Sequence, residues 1–199
     1  MDTRTASLFF AILCLLALAG TAFGLVLVIG DRLAPGGALS RLRDDVRPLA
    51  MPLAAIVAAT TMLGSLYFSE IAGAIPCKLC WLQRICAYPL AVLLPIAAFR
   101  RDVGFRLYAT VLAGIGIVIS TYHSWIQWFP PAGGTSFCTT DAPCTEKWVD
   151  ELGFVTLPFM AWTCFAAVLV AMLVLGRPAD LADLAHEPAN DLALDPEPS

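Results

Sequence analysis

Long apolar stretches separated by short polar connections organise this chain. A helix that spans the hydrocarbon core of a bilayer needs about 20 mostly apolar residues. Five stretches reach or approach that length: Leu8–Gly30, Leu49–Ser69, Ile85–Phe99, Leu107–Gln127 and Leu152–Gly176. The third reaches spanning length if the four residues before it form its first turn. The pattern predicts five transmembrane helices and therefore an all-α, polytopic membrane fold.

Composition agrees with this prediction and excludes other classes. Hydrophobic residues make up 59% of the 199 positions and charged residues only 14%, whereas a soluble domain carries about 25% charged residues. The net charge is −4, and without a basic patch nucleic acid is not an expected partner. The first stretch, Leu8–Gly30, is too long for the core of a signal peptide, so we expect a retained helix.

The distribution of Lys and Arg predicts the orientation, because these residues favour the cytoplasmic side of a membrane. Most of the 12 basic residues lie in two connections or directly after the last stretch: Arg32, Arg41, Arg43, Arg47, Arg100, Arg101, Arg106 and Arg177. We therefore expect the C-terminus to lie in the cytoplasm. The N-terminus, the turn near residue 77 and the 128–151 loop are then outside.

Three parts follow from this pattern. Residues 1–48 form an N-terminal transmembrane helix with a cytoplasmic link, residues 49–176 form a four-helix bundle, and residues 177–199 form an acidic, disordered cytoplasmic tail. Small residues recur about one turn apart along the fourth stretch: Ala109, Ala113, Gly116 and Ser120. Such spacing predicts a face on which neighbouring helices pack closely.

The seven cysteines divide by predicted position. Cys14, Cys86 and Cys164 lie within apolar helices, where a cysteine usually behaves as a small apolar residue. Four others lie on the predicted outer side: Cys77, Cys80, Cys138 and Cys144. The space outside a bacterial inner membrane is oxidising, so we expect these four to form disulfides.

Three interpretations of the four outer cysteines compete: two structural disulfides, one four-thiolate zinc site, or two redox-active disulfides that exchange with each other. The local pairs, Cys77–Cys80 and Cys138–Cys144, are favoured because they close short loops. A structural disulfide rarely has a two-residue spacer, since so small a ring is strained and easily reduced. The five-residue spacer of the second pair is loose for a zinc site. Spacing and compartment together favour the redox interpretation.

Two polar side chains accompany the first pair at the predicted membrane boundary. If a helix begins near Cys77, after Pro76, the partial positive charge at its N-terminus stabilises a thiolate. Arg84 then lies one turn beyond Cys80 on the same face, where it either extends to lipid headgroups or holds a thiolate or a quinone carbonyl. His123, near the outer end of the fourth helix, is either a polar anchor or a second donor to a quinone oxygen.

Taken together, these residues resemble the bacterial disulfide-bond formation protein B family (DsbB, with the related BdbC branch). The matching segments, in chain order, are Cys77-Lys78-Leu79-Cys80 with Gln83-Arg84, His123 with Gln127 and Pro130, and Cys138 and Cys144 before Thr156-Leu157-Pro158. The resemblance covers about residues 50–176. Two features depart from the family's pattern: the extra span Leu8–Gly30 and the short spacer between Cys138 and Cys144.

The resemblance implies a function for the four-helix bundle. Members of the family oxidise a thioredoxin-like periplasmic thiol oxidase, DsbA or its equivalent, and pass two electrons to a membrane quinone, either ubiquinone or menaquinone. Carried onto this chain, Cys138 forms the mixed disulfide with the partner and Cys144 resolves it. No metal takes part. A structural or zinc-binding membrane protein, and a conduit that carries reducing electrons outward, are the alternatives.

The resemblance also implies roles for the remaining residues. The disulfide between Cys77 and Cys80 reoxidises the loop pair after the partner has reduced it. Cys80, the sulfur nearer Arg84, faces the quinone. Arg84 and His123 contact the quinone oxygens.

Overall fold

The computed structural model describes residues 3–131, 138 and 142–176. Within these ranges, the chain forms five long helices: α1 (Thr3–Leu33), α2 (Ala38–Leu66), α3 (Lys78–Arg100), α4 (Arg106–Trp128) and α5 (Leu157–Leu175). A π-helical segment, Tyr67–Ile71, continues α2, and a 3-10 turn, Val103–Phe105, precedes α4. All five helical segments are long and apolar enough to cross a membrane. The predicted all-α, multi-pass membrane fold is therefore confirmed.

Several helix ends differ from the predicted stretches, and the starts of α2 and α5 show why. α2 begins at Ala38 rather than Leu49, because helical backbone continues past the apolar stretch into the charged segment, and hydropathy detects contact with lipid rather than backbone conformation. α5 begins at Leu157 rather than Leu152. Leu152 and Gly153 have φ values of 56° and 76°, in a turn closed by an antiparallel bridge between Glu151 and Val155. The predicted tail, 177–199, lies outside the described residues.

Helices α2 to α5 form a four-helix bundle. α2 packs against α3 and α5, and α4 closes the ring by packing against the same two neighbours. The small residues predicted on α4 face the interior: Ala109, Ala113, Gly116 and Ser120 are all buried. A Cβ atom at Gly116 would lie closer than 3.0 Å to the Phe165 ring of α5. The prediction of a close-packing face is confirmed.

Helix α1 packs on the outside of this bundle, against α2 and α5. At its first turn, the Ser7 hydroxyl donates a 2.6 Å hydrogen bond to the Glu151 carboxylate in the segment before α5. At its last turn, Asp31 pairs with the buried Arg43 of α2, and Arg43 also donates to the Leu173 carbonyl of α5 at 2.7 Å. Contacts at both ends therefore hold α1 in a defined position on the bundle.

Candidate functional site

Cys77 and Cys80 lie at the start of α3. Cys77 is the N-cap residue, with an extended backbone, and its sulfur accepts the Cys80 backbone N–H at 3.4 Å. The helix begins directly after Pro76 and Cys77, as the sequence predicted. The two Sγ atoms lie 3.1 Å apart and are not bonded to each other. The sulfurs are close enough to join after a small movement, and the disulfide between them stays a prediction.

The contacts of the Cys77 sulfur stabilise its thiolate form. It is 4% exposed, and burial by itself raises the pKa of a thiol. The hydrogen bond from the Cys80 thiol opposes this effect most strongly, followed by the hydrogen bond from His123. Together with the helix N-terminus, these contacts hold the pKa of the Cys77 thiol well below its usual range.

The second pair, Cys138 and Cys144, is joined by a disulfide with a Cα–Cα distance of 5.8 Å. Cys144 is 1% exposed, whereas Cys138 is only partly buried. The Cys144 sulfur, the Cys77 sulfur and a ring nitrogen of His123 all lie within 4.8 Å of one another. The fold therefore brings the two cysteine pairs together, with Cys144 rather than Cys138 facing the dithiol.

His123 connects the two cysteine pairs. Its Nε2 lies 3.1 Å from the Cys144 carbonyl oxygen and 3.7 Å from the Cys77 sulfur, and its Nδ1 lies 3.2 Å from the Gln83 amide nitrogen. Because a carbonyl oxygen can only accept, Nε2 carries the proton, and Nδ1 accepts from Gln83. The ring is 1% exposed, so its orientation is determined by these partners.

Two buried amides support the site. Both belong to the segments that match the family, but the sequence predicted no role for either. Gln83 orients His123, as described above. Gln127, one turn after His123 on α4, donates to the Glu146 carbonyl at 2.9 Å and so holds the segment that carries Cys144. Both amides are about 6% exposed. An amide inside an otherwise apolar helix is the signal that could have identified them, since such groups need an internal partner.

A large cavity of about 530 Å³ lies beside Cys80. Residues of α1, α2, α3 and α5 line it, with Cys80, Gln83 and Arg84 at one end. The Arg84 guanidinium donates to the Ser65 hydroxyl at 3.0 Å and to the Ser65 carbonyl at 3.1 Å. It also lies over the rings of Trp81 and Tyr88, at 5.2 and 5.9 Å from their centroids. These contacts hold the Arg84 cation beside the mostly apolar cavity.

Cys80 lines two cavities. It lines the large cavity, and it also lines a small one, about 20 Å³, together with Cys77, His123 and Gln127. Among the described residues, those that line the large cavity include Arg84 but not His123. The predicted contact of His123 with a quinone oxygen stays a prediction, while the contacts that are present link His123 to Cys77 and Cys144.

The sulfur and nitrogen atoms of Cys77, His123 and Cys144 also form a possible set of metal ligands. A zinc ion is bound by cysteine as the thiolate. Cys144 is half of a disulfide, so it offers no thiolate in this state. The arrangement suits thiol–disulfide exchange directly, whereas metal binding first requires reduction of the Cys138–Cys144 bond.

A dithiol that faces a disulfide at one end of a helical membrane bundle defines a class of protein, the membrane thiol–disulfide oxidoreductases. Residues 47–175 match the family described as "Disulfide bond formation protein DsbB", and the chain belongs to that family. It is 42% identical over 120 residues to "Disulfide bond formation protein C" of Bacillus subtilis (strain 168), an alignment that covers 60% of this chain and 87% of the relative. "Probable disulfide formation protein C" of Halalkalibacterium halodurans is 43% identical over 122 residues, covering 61% and 89%. No solved structure gives a significant match.

Proposed function

We propose that this membrane disulfide oxidoreductase accepts electrons from a thioredoxin-like dithiol oxidase outside the cytoplasmic membrane and passes them to a membrane quinone. One observation carries the proposal. Cys77 lies against Cys144 of the second cysteine pair, and Cys80, the partner of Cys77, lines the large apolar cavity together with Arg84. Electrons that arrive as thiols from a water-soluble protein can therefore leave into a site suited to a lipid-soluble acceptor.

The first half of the cycle is disulfide exchange with the partner. A partner thiolate attacks the Cys138 sulfur, which is the less buried of the loop pair, and Cys144 leaves as a thiolate. The second partner thiolate then attacks the mixed disulfide, so that the partner leaves oxidised and Cys138 is released as a thiolate. Two electrons have moved to the loop pair.

The second half moves these electrons inward. The Cys144 thiolate attacks Cys77 in the Cys77–Cys80 disulfide and Cys80 leaves; Cys138 then attacks Cys144, which restores the loop disulfide and releases Cys77. Because contacts lower the pKa of the Cys77 thiol, Cys77 is a good leaving group when Cys138 attacks Cys144.

The large cavity fits a quinone. Its lining is mostly apolar, and its end holds a thiol, Cys80, beside a cation, Arg84. When bound there, a quinone supplies an acceptor for two electrons and two protons. Arg84 would hold an oxygen of the quinone by a charge-assisted hydrogen bond, and Ser65 and the Trp81 ring hold the guanidinium in place. We place the protein in a bacterial inner membrane, with both cysteine pairs on the outer side.

The decisive experiment measures electron transfer by purified protein supplied with a reduced thioredoxin-like partner and a short-tailed quinone. We expect partner-dependent loss of the quinone absorbance. Cys80→Ala abolishes this loss, whereas the matched control Cys86→Ala, a buried α3 cysteine in the apolar core, retains it. Full turnover by Cys80→Ala contradicts the proposal. Stoichiometric zinc without partner oxidation supports the metal-binding alternative, and net reduction of the partner supports the reductant conduit.

The role of Cys138 has a separate test. In cells that carry Cys144→Ser, the resolving thiol is absent, so a mixed disulfide between Cys138 and the partner persists. Trapping this adduct and identifying it by mass spectrometry names the partner. Adducts that form equally well in Cys138→Ser cells would remove Cys138 from the exchange step.

A further inference from the structure

Helix α1 forms one wall of the large cavity. Its contribution extends from Phe10 to Gly24, opposite lining residues of α2 and α5. The match to the family begins at residue 47, so α1 lies outside the region that defines the family. This wall is therefore an addition that the chain makes to the four-helix unit.

The dimensions and chemistry of the cavity suit a long apolar chain. Fourteen helical steps from Phe10 to Gly24, at about 1.5 Å each, give a length of about 20 Å, roughly two thirds of the hydrocarbon core. The hydroxyls of Thr21, Thr61 and Thr163 are not offered to an occupant. Each donates to the backbone carbonyl one turn earlier in its own helix, at 2.7, 2.9 and 3.0 Å respectively. These side chains thus keep their polar atoms paired within the protein.

The two ends of the lined region differ. Cys80 and Arg84 lie at one end, whereas Val46 and Val174 lie toward the other. An occupant that matches both ends has a polar, redox-active head and a long apolar extension. A phospholipid also carries apolar chains, but nothing in its headgroup uses a thiol.

We propose that α1 forms a wall of the binding site for the isoprenoid tail of the quinone, so that recognition of the tail depends on this extra helix. This inference rests on the proposed function, because it assumes that the acceptor's head lies at Cys80. It assigns to α1 a part in selecting the acceptor, beyond its packing against α2 and α5.

Two glycines of α1 differ in the space beside them: Gly20 faces open space, and Gly24 packs closely against α5. A Cβ atom at Gly20 would meet nothing within 4 Å, although Gly20 lines the cavity. A Cβ atom at Gly24 would lie 2.8 Å from Val170 Cγ1 of α5. A larger side chain at Gly20 therefore extends into open space at the wall, whereas one at Gly24 disrupts the contact between helices.

Gly20→Phe tests the inference, with Gly114→Phe as the matched control. Gly114 lies on α4, away from the cavity lining, and its Cβ would also meet nothing within 4 Å. We expect Gly20→Phe to weaken binding of a long-tailed quinone about tenfold, since a bulky ring displaces buried apolar groups of the tail. Binding of a quinone without an isoprenoid tail stays unchanged. Gly114→Phe changes neither.

Binding is measured in two ways that do not depend on turnover: the quinone that the purified protein retains, and the rise in its unfolding temperature when quinone is added. KM for long-tailed and tail-free quinones is compared in parallel. Equal long-tail binding by Gly20→Phe and wild type overturns the inference, as does retention of phospholipid in place of quinone. If wild-type protein reduces neither quinone, the proposed function fails and this inference fails with it. If wild type reduces both and Gly20→Phe matches it, only the role of α1 is lost.

Discussion

The residues around Cys77 show how a few contacts can give two similar cysteine pairs different chemistry. Cys77 accepts from the Cys80 thiol, from the Cys80 backbone N–H and from His123. Cys144, within 4.8 Å, offers its carbonyl oxygen to the same His123 ring. One imidazole N–H thus faces both the thiolate and the backbone of the disulfide with which that thiolate exchanges. We infer that His123 positions the two pairs for exchange.

The first prediction concerns this imidazole. His123→Phe keeps the ring volume but removes the donor to Cys77, so we expect the pKa of the Cys77 thiol to rise by about one pH unit, the equivalent of one hydrogen bond to a charged group. The thiolate fraction at a given pH then falls. The measurement is the ultraviolet absorbance of the thiolate in reduced protein across a pH series.

Gln83→Leu provides the comparison for His123→Phe. It removes the donor to Nδ1 and leaves the Nε2–H in place, so its titration midpoint should move less than that of His123→Phe. A midpoint that is the same in all three proteins would leave His123 with only a packing role.

The second prediction concerns Arg84. Arg84→Ala removes the cation at the end of the cavity, and we expect KM for the quinone to rise about tenfold, the loss of one charge-assisted hydrogen bond. The rate of exchange between the reduced partner and the loop disulfide stays near the wild-type rate, because Cys138 and Cys144 are untouched. Stopped-flow measurement of each half-reaction separates the two. Unchanged KM would indicate that Arg84 only extends toward the lipid headgroups.

At the scale of the element, the close approach of α4 to α5 depends on the absence of a side chain at Gly116. The third prediction is that Gly116→Ala destabilises the protein by about 1–3 kcal/mol, because its methyl group overlaps the buried Phe165 ring. Gly114→Ala, two residues earlier, meets nothing within 4 Å and should be neutral or stabilising by up to about 1 kcal/mol. Unfolding in detergent measures both, and equal effects would contradict the packing argument.

The elements also show what sequence could predict. The five helices follow from apolar length, and the thiol at the start of α3 follows from Pro76, which fits a helix N-terminus. The start of α2 could not be predicted in the same way, because its first residues are a charged helical segment that no apolar stretch marks. The partner of His123 could not be predicted either. It depends on how α4 is rotated against α3, which is determined by packing and by the buried amide of Gln83.

At the scale of the whole molecule, the cysteine pairs and the buried arginines lie at opposite ends of the bundle. The cysteine pairs, the start of α1 and the Glu151 segment share one end. Arg43 and Arg106 lie near Gly176 at the other. A disulfide such as Cys138–Cys144 persists only where thiols are oxidised, and basic residues favour the cytoplasm. Both arguments support the proposed orientation, in which the end with the cysteine pairs lies outside.

The fourth prediction tests this orientation. Lys147→Cys introduces a thiol in the exposed segment after Cys144, and Pro35→Cys introduces one in the exposed link between α1 and α2. We expect a membrane-impermeant maleimide to label Lys147→Cys in intact cells, and to label Pro35→Cys only after the cells are permeabilised. Wild-type protein provides the baseline, since four of its five free thiols are buried. The reverse pattern would place the cysteine pairs in the reducing cytoplasm, where the loop disulfide would not persist and a periplasmic partner could not reach it.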